Sequence, residues 1–173
     1  MSGKAQRQRF EALWRQHQGV VLKVASVYAR GAEDRRDLAQ EIGVQLWRAF
    51  AAYDERRAKF GTWLYRIALN VAISHLRRTG GEAGRFEPLD EGHLDTIAGE
   101  PAAEPDERLA ALYAFIGGLD ALNRALILLY LEDRSHAEIA EVLGISTTNV
   151  ATKINRIKQR LRGQMTAAAA TGA

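Results

Sequence analysis

Apolar residues recur along this chain at intervals of three and four, the period of a helix with one buried face. Phe10, Leu13, Trp14, Val21, Val24 and Tyr28 fall on one side of a long predicted helix. Leu38, Ile42, Leu46, Ala49 and Phe50 mark a second helix, and Trp63, Leu64, Ile67, Ala68 and Val71 a third. Between these last two lies AAYDERRAKFG, a polar and basic stretch that reads as a loop ending near Gly61. Farther on, Leu109, Leu112, Ile116 and Leu119 form another stripe. Arg124 to Leu131 is nearly all apolar, as a buried helix requires. Prolines and β-branched clusters are few, so the predicted fold class is all-α.

The periodicity stops between residues 80 and 107. That segment contains all three prolines (Pro88, Pro101, Pro105), five glycines, one arginine and nine acids, a net charge of −8. It reads as an acidic flexible linker between two small helical domains, because long structureless loops inside one compact domain are uncommon. The expected organisation is a helical domain at 1–79, the linker at 80–107, a second helical domain at 108–163 and a disordered tail at 164–173. The whole-chain charge of +3 hides this asymmetry, since residues 1–79 carry +8 and residues 108–173 carry +3.

The second domain holds the most informative stretch, RSHAEIAEVLGISTTNVATKINRIKQRLR. Ser135 and Glu138 have capping-box spacing at the start of a short helix. Gly144 is placed to end that helix, since glycine accepts a left-handed backbone. Ile145 plugs the corner, and Ser146 is placed to cap the next helix. In that helix Val150, Ile154, Ile157 and Leu161 share one face. The opposite side carries Thr147, Thr148, Asn149, Thr152, Lys153, Arg156, Lys158 and Arg160. From Ser146 to Arg162 there are five basic residues and no acid. This is a helix-turn-helix layout, whose second helix enters the major groove by its N-terminal end. Short hydroxyl and amide side chains suit base edges, and lysines and arginines suit phosphates. Without the capping and turn signals, the same pattern would describe an ordinary hairpin with a solvated basic face.

Two features of the first domain carry candidate chemistry. From Arg56 to Arg78 there are six basic residues and no acid, with Phe60, Trp63 and Tyr65 interleaved. Basic charge beside exposed aromatic rings is the recipe for single-stranded nucleic acid, and an aromatic-bordered loop suits a base flipped out of the duplex. Trp63 also falls on the apolar stripe, which would place it in the core. The other feature is a polar helix face made by Asp37, Gln40, Glu41 and Gln45. It reads either as a protein-docking surface or as a solvated face with local ion pairs to Arg35 and Arg36.

Composition narrows the function classes. The 173 residues contain no cysteine, which excludes disulfides, zinc–thiolate sites and thiol chemistry. The longest apolar run, Ala125 to Leu131, is far too short to span a bilayer, and the N-terminus lacks a signal-peptide core. The expected compartment is therefore the cytoplasm. His17, His75, His93 and His136 are scattered without metal-ligand spacing, and no phosphate-binding glycine loop or nucleophile–base set is present. The expectation is a non-enzyme without metal or cofactor.

Three segments in order, RRDLAQEIGVQLWRAFAAYD, FGTWLYRIALNVAISHLRR and ALILLYLEDRSHAEIAEVLGISTTNVATKINRIKQRL, resemble the bacterial sigma-70 family, in particular its small extracytoplasmic-function group. The resemblance covers almost all of residues 8–163. It implies that the helix holding Asp37, Gln40, Glu41 and Gln45 docks on the clamp coiled coil of the β′ subunit of core RNA polymerase. It implies that Lys59, Phe60, Thr62, Trp63, Arg66, Asn70, Arg77 and Arg78 recognise and melt the promoter −10 element. The helix-turn-helix would read the −35 element with Ser146, Thr147, Thr148, Asn149, Thr152, Lys153 and Arg156, and sit on the β-subunit flap. An anti-sigma factor is a further partner the resemblance implies.

Two departures from the family pattern stand out. The stretch before the buried helix reads Leu119-Asp120-Ala121-Leu122 where many relatives have Leu-Pro, and Thr148 stands where many have glycine. The competing function is a free-standing helix-turn-helix regulator that binds duplex DNA at paired half-sites without polymerase.

Overall fold

A computed structural model describes residues 2–79 and 107–171, and its side chains through Ala167. The described residues are all-helical, with seven helices: α1 (Gly3–Tyr28), α2 (Gly31–Phe50), α3 (Phe60–Arg78), α4 (Glu107–Gly117), α5 (Ala121–Leu131), α6 (His136–Leu143) and α7 (Thr147–Thr171). The acidic stretch expected as a linker lies outside the described residues, apart from Glu107, which opens α4.

Helices α1, α2 and α3 pack on one another as a first lobe. Val21, Val24, Leu38, Ile42, Leu46, Leu64, Ala68 and Ala72 are almost fully buried there, so the predicted stripes are its core. Helices α4 to α7 form the second lobe around Leu119, Leu126, Leu129, Ile139, Val150 and Ile154. Asp120 caps α5 by accepting the Asn123 N–H at 2.8 Å, so the missing proline is replaced by an ordinary N-cap.

The two lobes are in contact. α1 packs against α4 and α5, and α3 packs against α5 and α6. The Tyr28 hydroxyl donates to the Ala121 carbonyl at 2.7 Å, and Lys23 pairs with Glu132 at 2.7 Å. Arg124, only 4% exposed, donates to the carbonyls of Leu119 (2.8 Å), Gly117 (2.6 Å) and Val27 (3.2 Å). It thereby ties the end of α4 to the end of α1, a favourable place for a cation because helix C-termini carry partial negative charge.

α7 continues to Thr171, through most of the 164–173 stretch expected as a tail. Its last stretch is alanine-rich, and alanine has the highest helix propensity.

Candidate nucleic-acid and docking surfaces

The local signals of the helix-turn-helix are met in atomic detail. The Ser135 hydroxyl accepts the Glu138 N–H at 3.1 Å, although Glu138 itself turns to Arg134 at 3.4 Å and leaves the capping box half complete. Gly144 has φ 70° and ψ 32°, the left-handed conformation the turn needs. The Ser146 hydroxyl accepts the Asn149 N–H at 3.1 Å and starts α7. Val150, Ile154 and Ile157 are buried beneath it. Ser146, Thr147, Thr148, Asn149, Thr152 and Arg156 are all exposed, and Lys153 is half-buried at the edge of that face.

A groove of about 630 Å³ runs along this surface, lined by Tyr130, His136, Thr152, Asn155, Arg156 and Lys158 among others. Tyr130, His136 and Asn155 carry no sequence signal for this surface. Tyr130 and His136 come from α5 and α6, so only the fold brings them to α7. Lys158 stands 4.9 Å from the Tyr130 ring centre, a cation–π contact that holds its charge beside the groove.

On α3 the predicted residues separate into two sets. Lys59, Trp63, Arg66, Asn70 and Arg77 recur at three-, four- and seven-residue spacings and therefore form one stripe of the helix. Lys59, Asn70 and Arg77 are exposed, while Trp63 and Arg66 are half-buried. Phe60 and Thr62 point elsewhere and are buried, at 8% and 6% exposure. A DNA-facing role would need both side chains exposed, and in this fold neither is. Phe60 is seated among His17, Phe50, Tyr53 and Trp63, with ring centres 4.8 to 6.4 Å away.

Tyr65, also read as interleaved with the basic charge, is 1% exposed. The Arg134 guanidinium lies 5.2 Å from its ring centre. Burial pushes the Tyr65 phenol up to about 12. Of the three aromatics, Trp63 alone keeps an accessible surface. Spacing along a helix gives the direction of each ring but not the neighbour that covers it.

The loop before α3 is ordered by its own bonds. The Tyr53 hydroxyl donates to the Ala58 carbonyl at 3.1 Å, and Asp54 accepts the Arg56 N–H at 2.9 Å. Tyr53 and Trp63 face each other with ring centres 4.9 Å apart, tilted by 45°.

The polar face of α2 is present, with Asp37 and Gln40 exposed and Glu41 and Gln45 half-buried. Its ion pairs are not the expected local ones. Glu41 pairs with Arg78 of α3 at 3.1 Å. Arg35 is buried at 5% exposure, and its Nε and Nη1 have no hydrogen-bond partner.

Beside this face lies an apolar groove of about 560 Å³ between α1 and α2, lined by Phe10, Trp14, Gly43, Val44 and Trp47, with Gln40 at its edge. Val44 and Trp47 are exposed, which is unusual for large apolar side chains gathered in one groove. A Cβ on Gly43 would stand 3.2 Å from Trp14 Cη2, so glycine gives the indole its seat.

Comparison with known proteins accounts for both lobes. Residues 13–82 match the family model described as sigma-70 region 2, and residues 109–161 match sigma-70, region 4. The chain is 32% identical over 158 residues to the ECF RNA polymerase sigma factor SigE of Mycolicibacterium smegmatis, covering 88% of this chain and 60% of that protein. It is 30% identical over 142 residues to the ECF RNA polymerase sigma factor SigW of Bacillus subtilis, covering 76% of this chain and 75% of that one. Its fold resembles that of the sigma factor RpoE of Bartonella quintana, solved in complex with the anti-sigma factor NepR, with a TM-score of 0.74 at 18% identity over 92% of this chain and 98% of that chain. No helix among the described residues is long and apolar enough to cross a membrane. Region 2 on the first lobe, region 4 on the second and these relatives place the chain in the sigma-70 family of RNA polymerase sigma factors, in its extracytoplasmic-function group.

Proposed function

We propose that this chain is a non-catalytic specificity subunit that joins core RNA polymerase in the cytoplasm and divides its work among three surfaces. Asp37, Gln40, Glu41 and Gln45 dock on the β′ clamp coiled coil, and the neighbouring Val44 and Trp47 add apolar contact. The stripe of Lys59, Trp63, Arg66, Asn70 and Arg77, with Arg78 at its edge, takes the −10 element. Ser146, Thr147, Thr148, Asn149, Thr152, Lys153 and Arg156 take the −35 element, and the second lobe rests on the β flap. An anti-sigma factor is a further partner of the same faces.

The observation that carries this reading is the α3 stripe. A half-buried tryptophan sits in one row with Lys59, Arg66 and Arg77. Stacking an unpaired base on an aromatic ring returns about 1–3 kcal/mol, comparable with the few kcal/mol that unstacking costs. Cationic neighbours add a salt-dependent share. Two weak DNA modules become selective when polymerase holds both at once, through effective concentration.

Transcription by sigma-free core polymerase on a promoter pool tests the proposal. Promoter-specific transcripts are expected only when the chain is added. Trp63→Ala and Lys59→Ala should reduce promoter opening, read by permanganate reactivity, while polymerase binding stays intact. Tight sequence-specific duplex binding without polymerase, and no transcription with it, would instead identify a free-standing regulator.

A further inference from the structure

Arg9 lies on α1, outside the stretch matched to sigma-70 region 2. It nevertheless reaches the loop that precedes α3. Its guanidinium stands 5.6 Å from the Phe50 ring centre and 5.8 Å from the Tyr53 ring centre, and its Nη2 is 3.2 Å from Glu55 Oε2. The other contacts that shape this loop are internal to it or come from its flanking helices: Tyr53 to Ala58, Asp54 to Arg56, and the rings of Phe50, Phe60 and Trp63 around Tyr53. Arg9 brings in a separate helix.

We infer that Arg9 is a positioning residue for single-strand capture: it holds the loop of residues 51–59 so that Tyr53 and Trp63 present a preformed aromatic site to an unstacked base. The inference rests on the assignment of Trp63 to the −10 element. The physical basis is preorganisation. A loop already held in its binding geometry loses less conformational entropy when the strand arrives. Arginine suits this job because its flat guanidinium stacks on a ring while its edge donates to a carboxylate, and lysine offers charge without the plane. Glu55 is largely exposed, so the ion pair adds little by itself, and the ring contacts supply most of the constraint.

The test uses the full chain bound to core polymerase. The probe is a fluorescein-labelled single strand carrying the non-template −10 segment of a promoter that the holoenzyme transcribes. Arg9→Ala should weaken strand binding by about fivefold, equivalent to about 1 kcal/mol. The slope of log affinity against log salt should stay unchanged, because a positioning residue touches no phosphate. Arg9→Lys should recover only part of the loss. Adding Glu55→Gln to Arg9→Ala should cost nothing further.

Equal strand affinity for Arg9→Ala and the parent overturns the inference. A salt slope lower by about one also overturns it, by making Arg9 a phosphate contact. Trp63→Ala serves as the control. If Trp63→Ala binds the strand normally, the −10 assignment falls and this inference with it; if Trp63→Ala is weakened and Arg9→Ala is not, only the role of Arg9 falls.

Discussion

Arg66 of α3 is bonded to Glu141 of α6 across the seam between the lobes. Its Nη2 donates to the Glu141 carbonyl at 3.1 Å and stands 3.5 Å from the carboxylate. The first helix of the helix-turn-helix therefore occupies one member of the α3 stripe. If Arg66 takes promoter DNA as proposed, it is freed to do so when the lobes separate, and binding would then be coupled to opening.

Glu141→Arg should favour the separated form. It sets two guanidinium groups against each other, whereas Glu141→Gln keeps the carbonyl bond and should change little. Both side chains are about half exposed, so the shift should stay within about 1 kcal/mol. The chain has no cysteine, so dyes can be placed at Ser74→Cys and Gln164→Cys. Energy transfer between them should fall for Glu141→Arg; an unchanged efficiency would show that this contact does not hold the lobes together.

Two buried arginines should respond in opposite directions to the same substitution. Arg124→Met strands the carbonyls of Leu119, Gly117 and Val27 and should cost about 2–4 kcal/mol of unfolding free energy. Arg35→Met removes a buried cation whose Nε and Nη1 bond to nothing, and should stabilise by about 1 kcal/mol. Urea unfolding of the two variants measures both. A destabilised Arg35→Met would reveal a partner for Arg35 in solution.

Alkaline pH should loosen the seam around Tyr65. Its folded pKa is raised from the ordinary 10.0 to about 12, mainly because burial penalises the phenolate, with the Glu132 charge adding and Arg134 opposing. A raised folded value means that the neutral phenol is favoured in the fold. Its contribution is complete below pH 10 and is lost as pH climbs from about 10 through about 12. Burial also raises Tyr28, Tyr53 and Tyr113, so the alkaline limb has several sources. Tyr65→Phe should flatten part of that limb. At neutral pH it should cost little, because among the described residues the Tyr65 hydroxyl makes no hydrogen bond of good geometry.

On α7, phosphate and base roles should separate by salt. Arg156→Ala should weaken binding of the holoenzyme to −35-dependent promoters and lower the salt slope by about one. Asn149→Ala should leave the slope unchanged and cost about 1–3 kcal/mol of discrimination at one base position. Filter binding over a salt series distinguishes them; identical slopes would place Arg156 away from the backbone.

The local elements were legible in the sequence because their causes are local. Ser135, Gly144 and Ser146 act on backbone groups within a few residues, and each adopts the role its position predicts. The stripes from Leu38 to Phe50 and from Val150 to Ile157 obey the helical period, so their buried faces follow from spacing alone. The order of the two sigma regions is likewise written in the chain.

What only the tertiary structure decided is which side chains remain accessible once helices pack. Phe60, Thr62 and Tyr65 sit among basic residues in the sequence, yet helix packing buries them and leaves Trp63 partly accessible. Arg9 and Tyr53 are 44 positions apart, and Arg66 and Glu141 are 75 apart, distances over which no periodicity carries information. Helix spacing specifies the direction of a side chain from its own axis. The neighbour waiting there depends on how the axes cross, which long-range packing of both lobes sets.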